Sequence, residues 1–194
     1  MGLRVISGNQ RGRKLLTVKG MSTRPTADRM RESLFNILSN RVIGSHILDL
    51  FAGTGALGIE ALSRGATSAV FIDKEKAALS IIERNLEICG LREQSRVLKW
   101  NIAINLKCLE GRIPKFDMVF MDPPYDHGFV QKALANLYQS NSVANGSIIV
   151  VEHSPEEPVP ENYFRFEMTD QRRYGRTYFS FLRVQQPAEK ERST

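Results

Sequence analysis

Short apolar runs alternate with longer amphipathic stretches between residues 46 and 153. The amphipathic stretches predict helices over residues 57–64, 74–90, 102–110 and 129–140, the second of them closed by Gly90. Regular alternation of strand and helix is typical of an α/β protein with a doubly wound, mostly parallel sheet. The apolar runs that predict its strands are HILDLF (46–51), SAVFID (68–73), SRVLKW (95–100), FDMVFMD (116–122) and GSIIVVEH (146–153).

The two ends of the chain follow other patterns. Residues 3–6 and 14–18 are β-prone and flank a polar stretch, which predicts an N-terminal hairpin with a basic loop. Residues 24–38 predict a helix with Thr26 as its N-cap, and residues 163–184 alternate like two strands around a turn. We expect an N-terminal extension over residues 1–40, a core domain over 41–184 and a disordered tail over 185–194. On the N-terminal helix, Met30, Leu34, Ile37 and Leu38 form one stripe, and Arg24, Arg29 and Arg31 lie off it.

Composition and charge narrow the class of protein. The 194 residues are 42% hydrophobic, which fits one globular domain with a full core. The net charge of +6 is concentrated at the N-terminus, where residues 1–31 contain Asp28 as their only acid. We interpret this end as a phosphate-contacting surface, with a solvated basic face as the alternative; charge does not separate RNA from DNA. The basic residues there are Arg4, Arg11, Arg13, Lys14, Lys19, Arg24, Arg29 and Arg31.

Several other classes are disfavoured. Cys89 and Cys108 lack CxxC spacing, so we expect plain thiols in a reducing compartment and no metal site. The sequence contains no apolar run long enough to span a membrane, and its first residues lack a signal-peptide pattern. We therefore expect a soluble, cytoplasmic protein.

A glycine-rich turn follows the first predicted strand. Gly53, Gly55 and Gly58 fit the pattern GxGxxG, and glycine allows a ligand to approach the backbone closely. Asp73 ends the next strand, 20 residues after Gly53, where an acid can accept hydrogen bonds from ribose hydroxyls. The turn alone is also compatible with simple packing of a helix on a sheet. Together with Asp73 it favours a cofactor that contains a nucleoside.

Asp49 favours one such cofactor over another. A dinucleotide would bring an anionic pyrophosphate to the turn, which a nearby carboxylate opposes. S-adenosylmethionine instead carries an ammonium and a sulfonium, which a carboxylate attracts. Asn101, after the third strand, could contact the adenine edge or cap a helix beginning at Ile102. The cofactor-binding residues we predict are Asp49, Phe51, Ala52, Gly53, Thr54, Gly55, Asp73, Lys74 and Asn101.

The sequence DPPY, residues 122–125, ends the fourth predicted strand. The amino group of a base is a poor nucleophile because its lone pair is delocalised into the ring, so it needs hydrogen-bond acceptors. Asp122 and the Pro123 carbonyl could accept the two amino hydrogens, and the Tyr125 ring could stack on an extruded base. A strand-ending turn is the plainer interpretation. We predict Asp122, Pro123 and Tyr125 as the catalytic site, with no metal and no covalent intermediate.

These motifs resemble a known family. The stretches RVISGNQRGRKL, RPTADRMRESLFNIL, LDLFAGTGALGIEALSRGA, FIDKEKAA, DMVFMDPPYD and YGRTYFSF are similar to the RsmD-type 16S rRNA guanine-N2 methyltransferases. The resemblance covers about residues 4–182. It implies a Rossmann-like class I methyltransferase sheet of seven strands, one of them antiparallel, and S-adenosylmethionine as cofactor. It also implies methylation of 16S rRNA in small ribosomal subunits, by a chain that we expect to be monomeric. The predicted RNA-side residues are Arg11, Arg13, Arg24, Thr26 and Arg29.

Three alternatives stay open at this point. An adenine-N6 methyltransferase acting on DNA or RNA shares DPPY and the glycines, although such DNA enzymes usually have a separate recognition region. An NAD-dependent dehydrogenase is disfavoured by Asp49 and leaves DPPY unexplained. A non-catalytic RNA-binding assembly factor would keep the basic N-terminus without needing Asp122. Only the resemblance separates guanine N2 from adenine N6.

Overall fold

The computed structural model describes residues 2–17, 25–111, 114–125 and 128–186. The chain divides into two compact units, one up to Ile102 and the other from Ala103 onward. Within the described residues there are four α-helices and eight β-strands. The predicted boundaries at residues 40 and 184 remain predictions.

The first unit begins with the predicted hairpin. Arg4 and Lys14 form an antiparallel bridge, and the N–H of Val5 donates to the carbonyl of Arg13 at 2.9 Å. The elements that follow are α1 (Pro25–Leu38), β1 (His46–Leu50), α2 (Ala56–Ser63), β2 (Ser68–Asp73), α3 (Lys76–Cys89) and β3 (Ser95–Lys99). The three strands pair in the order β3-β2-β1, all parallel.

Burial explains why the sequences of β1 and β2 are continuous apolar runs. Parallel strands are covered by helices on both faces, so both sets of their side chains are buried. Leu48, Leu50, Phe71 and Ile72 are all fully buried. Asp49 and Asp73 lie near the carboxyl ends of β1 and β2, which is where ligands bind in doubly wound α/β sheets.

The second unit contains β4 (Phe116–Met121), α4 (Phe129–Ser140), β5 (Val143–His153), β6 (Asn162–Tyr163), β7 (Phe166–Tyr174) and β8 (Thr177–Val184). Strands β4 and β5 are parallel. The order continues from β5 to β8, β7 and β6, and each of these pairs is antiparallel. Strands β7 and β8 form the predicted C-terminal hairpin around Gly175, whose φ is +64°.

Several sequence predictions differ from the structure. The predicted strand count of seven is one too low because the two-residue β6 is added, and β6 as well as β8 runs against β4 and β5. Helix α1 begins at Pro25, a residue suited to the first helical position, so Thr26 lies inside the helix and is not its N-cap. Ile37, assigned to the apolar stripe of α1, is 40% exposed, whereas Arg31, assigned to the polar side, is buried.

The predicted helix over residues 102–110 is wrong. In the described part of that segment only Lys107–Leu109 is helical, as one 3₁₀ turn. The side-chain Oδ1 of Asn105 accepts the N–H of Lys107 at 3.1 Å, a local bond that competes with helix formation. Because no helix begins at Ile102, Asn101 does not act as an N-cap.

Candidate functional site

The glycine turn has an unusual backbone. Phe51, Gly53 and Gly55 have φ angles of +58°, +55° and +75°. Glycine adopts this region freely, whereas for Phe51 it is strained, and such strain concentrates at ligand sites. The N–H of Ala52 donates to the carbonyl of Ile72 at 3.1 Å, and that of Gly55 to the carbonyl of Ala52 at 2.7 Å. The turn is thus fixed to the end of β2 by backbone bonds.

Asp73 joins the ends of β1 and β2. Its Oδ2 accepts the N–H of Gly53 at 2.9 Å, and its Oδ1 accepts the N–H of Glu75 at 2.9 Å. Each carboxylate oxygen has more than one lone pair, and Asp73 is only partly buried. The carboxylate can therefore hold the turn and still accept hydrogen bonds from a ligand.

Asp49 lies in β1, the strand that precedes the glycine turn. Its side chain is buried, and its Oδ2 accepts the N–H of Gly58 in α2 at 2.9 Å. Burial raises the pKa of Asp49 to about 8; the Gly58 hydrogen bond opposes this rise and the negative charge of Asp73 adds to it. Asp49 thus braces β1 against α2, and its charge at neutral pH depends on what lies nearby.

Gly58, the last glycine of the pattern, has a packing role. A Cβ built at this position would lie 2.3 Å from Cε1 of Phe71 and 3.1 Å from Oδ2 of Asp49. Only glycine lets α2 approach β1 and β2 this closely.

Asn85, which the sequence analysis missed, supports the same turn. This fully buried residue of α3 donates through Nδ2 to the carbonyl of Thr54 at 2.9 Å. It also pairs with the backbone of Leu16, accepting its N–H at 2.7 Å and donating to its carbonyl at 3.1 Å. A polar residue on an apolar helical stripe was the available signal. Asn85 connects the N-terminal segment to the glycine turn.

Two further predicted cofactor residues, Lys74 and Asn101, lie at the surface. Lys74 directly follows Asp73, and its Nζ is 3.9 Å from Oε1 of Glu75. Asn101 is exposed, and the N–H of the preceding Trp100 donates to the carbonyl of Asp73 at 3.0 Å. The structure therefore brings the ends of β1, β2 and β3 together, as the parallel sheet requires.

The DPPY residues follow β4 directly. Asp122 and Tyr125 are exposed, whereas Pro123 is buried. The Tyr125 hydroxyl donates to Oε1 of Glu152 in β5 at 2.6 Å. Burial raises the pKa of Tyr125, and the adjacent Glu152 carboxylate raises it further. The phenol therefore remains protonated and can act as the donor.

Glu152 is a second residue that the sequence analysis missed. Burial raises the pKa of its carboxyl group, and the hydrogen bond from Tyr125 opposes that rise. The sequence feature that could have identified Glu152 is the position of an acid near the end of the apolar run of β5. The pair fixes the tyrosine ring while leaving it 38% exposed.

The basic hairpin is firmly docked on α2. The buried carboxylate of Glu60 accepts the N–H groups of Ile6 at 2.8 Å and Ser7 at 3.0 Å. The Ser63 hydroxyl donates to the carbonyl of Ser7 at 2.6 Å. A Cβ at Gly8 would lie 1.8 Å from the carbonyl oxygen of Ser63, so the approach requires glycine.

The predicted RNA-side residues have different surroundings. Arg11 and Arg13 are exposed on the docked hairpin, and Arg29 is exposed on α1. Arg24 and the side chain of Thr26 lie outside the described residues. Arg31 instead lies inside, where its Nη2 donates to the carbonyl of Arg4 and lies 3.2 Å from Oδ1 of Asp28.

Two features are absent from the residues that the structure describes. No cluster of three or more potential metal-ligating side chains occurs among them. None of the helices described is both long enough and apolar enough to cross a membrane.

The fold is that of a Rossmann-like class I methyltransferase, and comparison with known proteins assigns the family. The model of the family described as Conserved hypothetical protein 95 matches residues 3–183, and the chain belongs to this family. Relatives that carry the name Ribosomal RNA small subunit methyltransferase D include proteins of Haemophilus influenzae and Escherichia coli. The Haemophilus influenzae relative is 37% identical, covering 83% of this chain and 84% of its own length. The Escherichia coli relative is 36% identical, covering 81% and 78%.

A solved structure supports the same assignment. The Escherichia coli protein yhhF superimposes with a TM-score of 0.82 and is 32% identical. The match covers 94% of this chain and 98% of that protein. Similarity therefore extends over both units and includes the glycine turn and the DPPY loop.

Proposed function

We propose that this protein transfers a methyl group from S-adenosylmethionine to the exocyclic N2 of a guanine in 16S rRNA, in assembled or partly assembled small ribosomal subunits. The observation that supports this most is the DPPY loop, which presents Asp122 and a hydrogen-bonded Tyr125 after β4. Relatives named Ribosomal RNA small subunit methyltransferase D, 36–37% identical, support the RNA substrate. The protein would act in the cytoplasm, as a monomer.

The glycine turn fits the cofactor. Its glycines with positive φ let a ligand approach the backbone closely. The partly exposed Asp73 can accept hydrogen bonds from ribose hydroxyls. Asn101 would contact the adenine edge, and Lys74 and the remaining turn residues would line the site. Asp49 would stabilise the cationic end of the cofactor when ionised, while bracing α2 through Gly58.

The DPPY loop would handle the base. Asp122 would accept a hydrogen bond from one N–H of the amino group and the Pro123 carbonyl would accept one from the other, which returns electron density to the nitrogen. One proton of the amino group would then pass to solvent by way of the exposed Asp122 carboxylate, so that the methylated nitrogen is neutral. Tyr125 stacks on the base, which must leave its helix or be single-stranded to reach the loop. The bound cofactor supplies a methyl group on a cationic sulfur, an electrophile that needs no metal. Alignment of the reacting groups can contribute about 7–11 kcal/mol to the acceleration.

The basic hairpin would contact RNA phosphates. Arg11 and Arg13 are exposed on a hairpin held by Glu60 and Ser63, so their positions are defined relative to α2 and the glycine turn. Arg29, and with it Arg24 and Thr26, would extend this surface. Because phosphate contacts release counterions, RNA affinity should fall steeply with salt.

Methyl transfer to different nucleic acids tests the proposal. The protein is incubated with labelled S-adenosylmethionine and unmodified small subunits, naked 16S rRNA, large subunits or duplex DNA, and the methylated nucleoside is identified by mass spectrometry. We expect N2-methylguanosine in the small subunit. Detection of N6-methyladenine in DNA would show that the substrate is DNA and not 16S rRNA. If no methyl group were transferred to any of these nucleic acids, the enzyme assignment would be contradicted.

A further inference from the structure

Two aromatic rings stack at the surface of the second unit, away from the DPPY sequence. The ring centroids of Tyr138 in α4 and Phe164 are 4.4 Å apart, and the rings are parallel within 3°. A third ring, that of Tyr163, is inclined at 67° to the Phe164 ring, with 4.5 Å between the ring centroids. Phe164 nevertheless stays 57% exposed. The stack therefore ends in a large aromatic surface that faces solvent.

The backbone at Phe164 is unfavourable for a phenylalanine. Tyr163 pairs with Phe166, so Phe164 and Arg165 form the two-residue turn between β6 and β7. The φ of Phe164 is +56°, a conformation in which non-glycine residues cost about 1–2 kcal/mol. Glycine or asparagine would suit such a turn better. An exposed ring at a strained position points to a ligand rather than to folding stability.

Amide side chains surround this ring. Phe164 borders a cleft of about 720 Å³, a size typical of small-ligand sites. Amides carry both donors and acceptors, as do the edges of nucleobases. The polar residues that line the cleft are Gln139, Asn141, Asn162, Arg165, Glu167, Gln185 and Gln186.

Two cations stand beside the cleft. Nζ of Lys115 donates to Oδ1 of Asn141 at 3.0 Å, and Nη2 of Arg165 donates to Oδ1 of Asn145 at 2.9 Å. The bond from Lys115 orients the amide of Asn141 at the cleft. Both cations place positive charge where a phosphate could lie. The acid of the cleft, Glu167, accepts a hydrogen bond from Gln185.

We propose that this cleft binds an unpaired nucleobase of RNA, stacked on Phe164 with its edge on the amides. A planar ring with a polar edge and an attached phosphate matches the aromatic face, the amides and the flanking cations together. A cleft that bound a protein surface would not need two parallel aromatic rings or so many amide side chains. This inference rests on the proposed RNA substrate and adds a second base-binding position, separate in sequence from DPPY.

The test measures the affinity of the full-length protein for a single-stranded octaribonucleotide that contains 2-aminopurine, by titrating one against the other. Phe164→Leu keeps an apolar side chain but removes the ring, and should weaken binding about 5- to 150-fold, the range expected for one stacked base. Phe164→Tyr keeps the ring and should bind within about twofold of the wild type. Phe164→Gly relieves the strained φ, so weak binding by this variant cannot be attributed to misfolding. Ile104→Ala, which truncates another exposed apolar residue (69% exposed), is the matched control.

The outcomes separate this inference from the proposed function. The loss in Phe164→Leu should persist in a Tyr125→Ala background, because the two positions are independent. Equal binding by Phe164→Leu and wild type, or equal losses in Phe164→Leu and Phe164→Tyr, would overturn the inference. The inference would also be overturned if Phe164→Leu weakened binding to a protein of the small subunit but left binding of the oligonucleotide unchanged. Methyl transfer by the wild type, measured separately, reports on the proposed function whichever result is obtained.

Discussion

The hydroxyl of Tyr125 and the carboxylate of Glu152 are joined by a 2.6 Å hydrogen bond that links the DPPY loop to β5. One end of the tyrosine is therefore fixed, while its ring stays 38% exposed. A stacking platform held in this way loses little conformational entropy when a base binds.

Removal of this hydrogen bond should slow methylation without affecting the cofactor. We expect Glu152→Ala to reduce kcat/KM for the RNA substrate roughly 10- to 150-fold, since a hydrogen bond to a charged group contributes ~1.5–3 kcal/mol. Glu152→Gln, which keeps an acceptor, should retain most of the activity. Single-turnover rates and calorimetric titration with S-adenosylhomocysteine give the two readouts. Equal losses in both variants would show that the bond is not what matters at this position.

Cofactor affinity should depend on pH through Asp49. The pKa of this carboxyl is raised to about 8, so near neutral pH it is mostly protonated in the free protein. A nearby cation favours the ionised form and lowers that pKa. The preference for S-adenosylmethionine over S-adenosylhomocysteine, which lacks the sulfonium charge, should therefore increase as the pH rises and level off above about 8.

Calorimetry between pH 6 and pH 9 with both ligands measures this ratio. Both ligands contain the same amino acid group, so the effect of its titration on affinity cancels in the ratio of the two affinities. Asp49→Asn keeps an acceptor for Gly58 and should make the ratio independent of pH. A constant ratio in the wild type would mean that Asp49 does not sense the sulfonium.

Gly58→Ala adds only one methyl group, but it should destabilise the protein strongly. The new Cβ would lie 2.3 Å from Phe71, and overpacking of this kind costs about 1–3 kcal/mol. The free energy of unfolding in urea measures the loss. Gly2→Ala, which has no heavy atom within 4 Å of the new Cβ, is the matched control and should leave stability unchanged. If Gly58→Ala is as stable as that control, α2 does not need its close approach to β2.

Asn85→Ala should affect stability and cofactor binding together. The substitution removes the buried Asn85 amide that pairs with the partly buried N–H and carbonyl of Leu16 and with the carbonyl of Thr54. Each buried polar group that loses its partner costs ~1–3 kcal/mol. Because Thr54 belongs to the glycine turn, the affinity for S-adenosylhomocysteine should also fall. Thermal unfolding with and without this ligand reports both effects, with Ser80→Ala on the exposed face of α3 as control. A loss of stability with unchanged affinity would limit Asn85 to a folding role.

The elements that the sequence predicted well are those with local signals. Strands β1 and β2 were predicted because buried parallel strands read as continuous apolar runs, and α3 because its stripe ends at Gly90 in the left-handed region. The helix over residues 102–110 was wrong since the Asn105 side chain satisfies the backbone locally. Its apolar spacing alone contained no sign of that competition.

Residues with distant partners were harder to predict. The partners of Asn85 are Leu16 and Thr54, and that of Glu152 is Tyr125, all far away in sequence. Arg31 was assigned to the surface, but it is buried near Glu60 and Asp28, which compensate for its lost hydration. Spacing within one element cannot reveal such pairs, because they exist only after the chain has folded.

Methylation of small subunits by the wild type and by Asp122→Ala, side by side, tests the central claim most directly. Nucleoside mass spectrometry measures the product, and calorimetry measures binding of S-adenosylmethionine to each protein. We predict N2-methylguanosine with the wild type, none with Asp122→Ala, and the same cofactor affinity in both, because Asp122 acts on the base. Turnover by Asp122→Ala at the wild-type rate, or loss of cofactor binding together with activity, would contradict the role given to the DPPY loop.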